Sequence, residues 1–204
     1  GFVQEIPGDI SSASFFICLT LLSKNSSIII KNVNVNKTRT GIIDLAKKIC
    51  PNSIKIKNKK INNGEDVADI YVKSSKKFKA ITPDPSINSK VIDEFPLIFL
   101  LVCKSSKISY FRGISELAHK ESNRLKVCAN FLKQIGIKVI EKKDSLKIYG
   151  NPSLNINKNI VVRNFMKDHR IFMMACVAGL TFKGSAIFKI NDSDSIKTSF
   201  PSFL

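Results

Sequence analysis

The chain has 204 residues, 44% of them hydrophobic, which suits one large domain or two small ones with a real core. Lys and Arg number 33 against 16 Asp and Glu, a formal net charge of +17. No apolar run reaches the roughly 18–20 residues of a membrane span, and five cysteines without a C-x-x-C pair argue against a disulfide framework or a cysteine metal site.

The elements follow in chain order. A helix-like run at 11–22 precedes a β-branched strand at 27–33. A second helix is predicted at 38–49, closed by Pro51, then strands at 53–61 and 67–72. The pattern restarts with a strand near 78–81, a helix at 92–102 and a strand at 107–111. A helix at 121–135 and strands at 138–141 and 145–149 follow. A third round gives a strand at 160–163, a helix at 169–182 and a strand at 185–190, then Thr198-Ser199-Phe200-Pro201, where a second helix is expected. The unit is β-α-β-α-β-β, with rounds at about 1–75, 76–150 and 151–204, the last incomplete. The expected fold is a single α/β domain with pseudo-threefold symmetry, helices inside and sheets outside.

The charge alone suits nucleic acid, an acidic membrane surface or small anions. Yet the lysines are spread along the chain, and Ile54-Lys55-Ile56-Lys57-Asn58-Lys59-Lys60 reads as compositional bias. No stretch interleaves Arg-rich runs with aromatics, so no nucleic acid and no membrane partner are expected. No charged leader with a cleavage site opens the sequence, and Cys18, Cys50, Cys103, Cys128 and Cys176 sit mostly in apolar helical patterns. Reduced thiols in a cytoplasmic protein are the reading, with Cys18, Cys103, Cys128 and Cys176 buried.

Chemistry concentrates at helix starts. Lys120-Glu121-Ser122-Asn123-Arg124 precedes an apolar face of Leu125, Cys128, Phe131, Leu132 and Ile135. Lys120 and Arg124, four apart, would share one side of a helix. A helix N-terminus with two added cations makes a seat for phosphate or carboxylate; the plain alternative is a solvated helix start. Asp93 reads as an N-cap or as a general base. Asp168-His169-Arg170 reads as a cap with a surface Arg, or as an Arg clamp on an anion. Thr38-Arg39-Thr40 has the same ambiguity, and Gly8-Asp9-Ile10-Ser11-Ser12-Ala13 reads as a capped start where small residues serve packing. There is no G-x-G-x-x-G, P-loop or H-E-x-x-H, and two histidines leave no room for a His-rich metal site.

Seven pieces in register carry a resemblance: Gly8 to Ala13, Asn36 to Gly41, Gly64-Glu65-Asp66-Val67-Ala68-Asp69, Ile92-Asp93-Glu94-Phe95-Pro96, Lys120 to Arg124, Asp168 to Arg170 and Thr198 to Pro201. Together they resemble the C-terminal half of the 5-enolpyruvylshikimate-3-phosphate synthase family, in the bacterial class that includes glyphosate-tolerant members. The resemblance implies an inside-out enolpyruvyl transferase-like α/β barrel, one of two domains around a cleft, with the N-terminal partner domain absent from this chain. It implies transfer of the enolpyruvyl group from phosphoenolpyruvate to the 5-hydroxyl of shikimate 3-phosphate, by a monomeric enzyme with no cofactor and no metal. By that likeness Asp93 takes the hydroxyl proton and Glu121 serves the methylene carbon. Lys120 meets shikimate 3-phosphate, and Arg124 and Arg170 hold phosphoenolpyruvate. Ala118 stands where the family usually has Arg, and Asn123 where it has Asp, which is expected to loosen the hold on Arg124. Other readings are a transferase acting on UDP-N-acetylglucosamine, an RNA 3′-phosphate cyclase-like protein, and a non-catalytic anion-binding domain of the same fold.

Overall fold

In the computed structural model, residues 5–204 are described. The first helix, α1 (Ile10–Leu22), is followed by β1 (Ser27–Asn34), α2 (Gly41–Ile49), β2 (Ile54–Asn62) and β3 (Glu65–Lys73). Next come α3 (Phe95–Cys103), β4 (Ile108–Arg112), α4 (Arg124–Gln134), β5 (Val139–Lys142) and β6 (Ser145–Tyr149). The last elements are β7 (Ile160–Val162), α5 (His169–Thr181) and β8 (Phe188–Ile190).

The repeat is visible in the sheets. Strands β1-β3-β2 and β4-β6-β5 form matching antiparallel sheets, each with the last strand in the middle. In the third round β7 and β8 pair in parallel. Parallel neighbours require a crossover, and α5 is that crossover. Gly8 makes the equivalent parallel bridge to Val33 across α1. Asn63 and Gly64 both take positive φ, as a two-residue turn between twisted antiparallel strands demands, and they join β2 to β3.

Helices α1, α3 and α5 pack on one another at the centre. Every residue of α3 is buried, so its apolar character runs all round rather than along a stripe. By contrast α2 and α4 are two-sided, and each lays an apolar face on a sheet and on α3. Helices inside and sheets outside is thus the arrangement that hydrophobicity dictates. No helix of the described residues is long and apolar enough to cross a membrane.

Three expectations need correction. The strand near 78–81 does not form a ladder: Ile81 is tied to β4 by its carbonyl, which accepts from the Tyr110 N–H at 3.1 Å, and by its N–H to the Ser109 hydroxyl. The helix expected from residue 121 begins at Arg124, because Ser115–His119 forms a 3-10 turn and Lys120 is extended. Residues 198–204 form turns, not a helix, with Phe200 edge-on to Phe16 and Phe203 edge-on to Phe15. Among the thiols, Cys18, Cys103 and Cys128 are buried, as is Cys50, whereas Cys176 is only partly so. Burial pushes the Cys50 thiol up to about 12 and that of Cys176 up to about 11.

Candidate active site

The starts of α1, α3, α4 and α5 meet at one end of the domain, and their polar residues form one network. Asp9 caps α1, its carboxylate accepting from the Ser12 N–H at 2.8 Å, and Asp168 caps α5 in the same way at Arg170. Asp93 does not cap α3: it sits in the 3-10 turn Ile92–Glu94, whose geometry turns its carboxylate toward the cations of the later elements.

Arg124 is the hub. It is the first residue of α4 and 0% exposed, although Arg is almost never fully buried unless it is paired. Its Nε donates to Asp168 at 2.8 Å and one Nη donates to Asp93 at 2.8 Å. The other Nη donates to Glu121 and, at 3.4 Å, to the second oxygen of Asp168. Two proposed acid–base groups therefore sit on a single guanidinium. Asp168, 0% exposed, is held additionally by the Ser122 hydroxyl at 2.8 Å. Its cap role was legible from its place before a helix; its hold on Arg124 was not.

Asp93 also receives Lys120 at 3.6 Å and Arg170 at 3.7 Å. Partial burial pushes its carboxyl up, but Arg170, Lys120 and Arg124 together outweigh that and hold it below the usual carboxylate range. Lys120 reaches back to Glu116 at 3.0 Å, so Lys120 and Arg124 converge on Asp93 without sharing a helix face. Asn123 does not hold Arg124: its side chain caps α4 through the Lys126 N–H at 3.0 Å. Asn caps as well as Asp does, which corrects the expected loosening.

Sequence reasoning missed Glu94. It is 4% exposed, accepts from the Ser11 hydroxyl at 2.5 Å and from Arg170 at 3.3 Å. Burial raises its carboxyl above the usual range, although Ser11 and Arg170 partly offset this. Ser11 in turn accepts from Arg39 at 3.3 Å, and Arg39 pairs with Asp9 at 3.2 Å. The Gly8–Ala13 motif thus contributes a hydroxyl as well as small-residue packing.

Three cations, Lys120, Arg124 and Arg170, face five carboxylates, Asp93, Glu94, Glu116, Glu121 and Asp168. In a chain of net charge +17, the ion-paired carboxylates outnumber the cations at this end. A cleft of about 80 Å³ opens beside Arg170, lined also by Ser11, Ser12, His169 and Ser199. Two larger hollows, of about 940 and 830 Å³, are lined by none of these groups. The arrangement offers two partly exposed cations, Lys120 and Arg170, to a small anion, beside two carboxylates held on one guanidinium.

A sequence profile of EPSP synthase (3-phosphoshikimate 1-carboxyvinyltransferase) matches residues 1–204. A 3-phosphoshikimate 1-carboxyvinyltransferase of Thermoanaerobacter sp. is 40% identical over 97% of this chain and 45% of its own length. That of Petrotoga mobilis is 37% identical over 97% of this chain and 44% of its own length. The crystal structure of EPSP synthase from Acinetobacter baumannii superposes with a TM-score of 0.89 at 32% identity, over 98% of this chain and 45% of that one. The enolpyruvyl transferase NikO from Streptomyces tendae, at 14% identity over 98% of this chain and 42% of its own, shares the fold with a TM-score of 0.67. The chain spans a little under half the length of the relatives it matches. With a profile match from end to end and a superposition this close, the chain belongs to the EPSP synthase family.

Proposed function

We propose that this chain forms one wall of an enzyme that moves the enolpyruvyl group from phosphoenolpyruvate to the 5-hydroxyl of shikimate 3-phosphate, with release of phosphate. The observation that carries the reading is the meeting of Asp93, Glu121, Lys120 and Arg170 around Arg124. The other wall, which would complete the shikimate 3-phosphate seat, lies outside this sequence. The free cysteines fit a reducing compartment, so we place the reaction in the cytoplasm.

In this mechanism Asp93 takes the proton of the 5-hydroxyl as its oxygen attacks C2 of phosphoenolpyruvate. Glu121, which must enter the cycle protonated and so released from its ion pair with Arg124, supplies a proton to the methylene carbon, giving a tetrahedral adduct that still bears the phosphate. Loss of a methyl proton to Glu121 then restores the double bond as the C2–O bond to phosphate breaks, and the proton held by Asp93 leaves with the phosphate. Lys120 and Arg170 balance the charge on the departing phosphate and the carboxylate. Without substrate, Asp93 is clasped by three cations and is a poor base. An incoming phosphate and carboxylate would draw Lys120 and Arg170 off, leaving Arg124 in place, and let its proton affinity rise toward the level a base needs.

The test is phosphate release by the complete enzyme containing this sequence, with each acceptor. Release that depends on both phosphoenolpyruvate and shikimate 3-phosphate, and a fall of roughly 10²–10⁴ in turnover for Asp93→Asn, are expected. Equal activity with UDP-N-acetylglucosamine would overturn the acceptor assignment. This chain alone is expected to release no phosphate, because proximity needs both walls.

A further inference from the structure

Resting on that reading of Arg170, we propose that Glu94 is a positioning residue: anchored by Ser11, its buried carboxylate fixes one edge of the Arg170 guanidinium and leaves the other edge free to exchange Asp93 for the anionic substrate.

The geometry separates the two edges. One Nη of Arg170 meets Glu94 Oε1 at 3.3 Å and the Asp93 backbone carbonyl at 3.5 Å. The other Nη faces the Asp93 carboxylate at 3.7 Å, too far for a hydrogen bond. The first edge is held by a group that is 4% exposed; the second by one whose side chain is 36% exposed. A phosphate or carboxylate arriving from solvent can displace only the second. Arg presents a flat fork with fixed donor directions, so holding one edge aims the other.

Glu94 is itself held. The Ser11 hydroxyl donates to the same Oε1 at 2.5 Å, and Ser11 accepts from Arg39 at 3.3 Å. Its carboxylate thus ties α1 to α5 from the turn before α3, one contact from each round of the repeat. Burying an ionised carboxylate costs stability unless its partners compensate, and here burial raises its proton affinity above the usual value. A raised folded-state affinity means that the ionised form costs the fold stability at neutral pH.

Glu94→Gln keeps the shape and the carbonyl acceptor for Ser11 but removes the charge. In the complete enzyme it is expected to raise KM for phosphoenolpyruvate about tenfold, with kcat within about threefold and thermal midpoint unchanged or higher. Ser11→Ala, which spares every charge, is expected to raise the same KM two- to fourfold. Because Glu94 acts through Arg170, adding Glu94→Gln to Arg170→Ala is expected to change KM little further. An unchanged KM in Glu94→Gln beside a raised one in Arg170→Ala overturns the proposal, as does full additivity of the pair. A lowered midpoint with unaltered KM in both Glu94→Gln and Ser11→Ala assigns Glu94 to packing and also overturns it. An unaltered KM in Arg170→Ala itself removes the reading of the site on which the proposal rests.

Discussion

At Arg124 four hydrogen bonds reach three carboxylates from a side chain with no access to water. Such a group is costly to bury and costlier to unpair. Removing it strands Asp168, which is 0% exposed and has only the Ser122 hydroxyl and a backbone N–H left. Arg124→Ala is therefore expected to lose about 3–5 kcal/mol of stability in urea titration of this chain, far above the ~0–1 kcal/mol of a surface ion pair. A loss below about 1 kcal/mol would show that the buried network does not hold the helix starts together. Substrate affinity alone, the effect first expected of this Arg, is thus too narrow an account. A cluster of Lys, Glu and Arg before a helix advertises anion chemistry in the sequence. Nothing in it says that Arg124 points inward, because that depends on Asp93 and Asp168, 31 and 44 residues away in sequence. Glu94 escaped notice for the same reason: its partners lie on α1 and α5.

Among the elements, the helices were the most legible. Their apolar periodicity is local, so α1, α3 and α5 fall within one to three residues of the spans read from the sequence at each end. The stretch near 78–81 was not, since a strand needs a partner and this segment bonds to β4 through a single residue. The start of α2 shows where local pattern and packing meet. A Cβ on Gly41 would lie 2.8 Å from the Lys90 carbonyl oxygen and 2.9 Å from Val91 Cβ. Those are backbone and β-carbon atoms, which cannot rotate aside. In an isolated helix Gly41→Ala would gain stability from helix propensity. Here it is expected to lose about 1–3 kcal/mol, as overpacked sites do. Thermal or urea unfolding of the variant checks this, and a stabilised Gly41→Ala would mean that α2 and the 85–90 turn are not in contact. The glycine of Thr38-Arg39-Thr40-Gly41 is thus a packing residue at the join between two rounds of the repeat.

For the whole molecule, the repetition was legible because the first two rounds spell the same alternation of periods and the third begins it again, whereas the common core of α1, α3 and α5 is seen only in the packing. The distribution of charge was not legible either. All of the excess positive charge lies outside the site, because within it carboxylates outnumber cations. The hollow of about 940 Å³ at the far ends of α1, α3 and α5 is lined by six lysines, Lys24, Lys76, Lys77, Lys79, Lys104 and Lys183, and by no carboxylate. Burial first, and the neighbouring Lys183 after it, lower the proton affinity of Lys104, so like charge adds to the cost of holding that ammonium there. Such self-repulsion destabilises the compact state. The Debye length shrinks from about 30 Å at 0.01 M salt to about 10 Å at 0.1 M. Screening therefore relieves repulsion among spread lysines and barely touches the buried pairs around Arg124. The thermal midpoint of this chain is expected to rise by a few degrees between 10 and 200 mM NaCl, roughly what ~1 kcal/mol yields in a domain of this size. Arg124→Ala, though less stable, is expected to show nearly the same salt slope, since the guanidinium end of every pair it loses, and Asp168 with it, is closed to water. A midpoint that falls with salt would mean that surface ion pairs such as Lys197 with Asp194 and Lys133 with Glu141 outweigh the repulsion. A slope that vanishes in the variant would mean that the network at the helix starts is open to solvent.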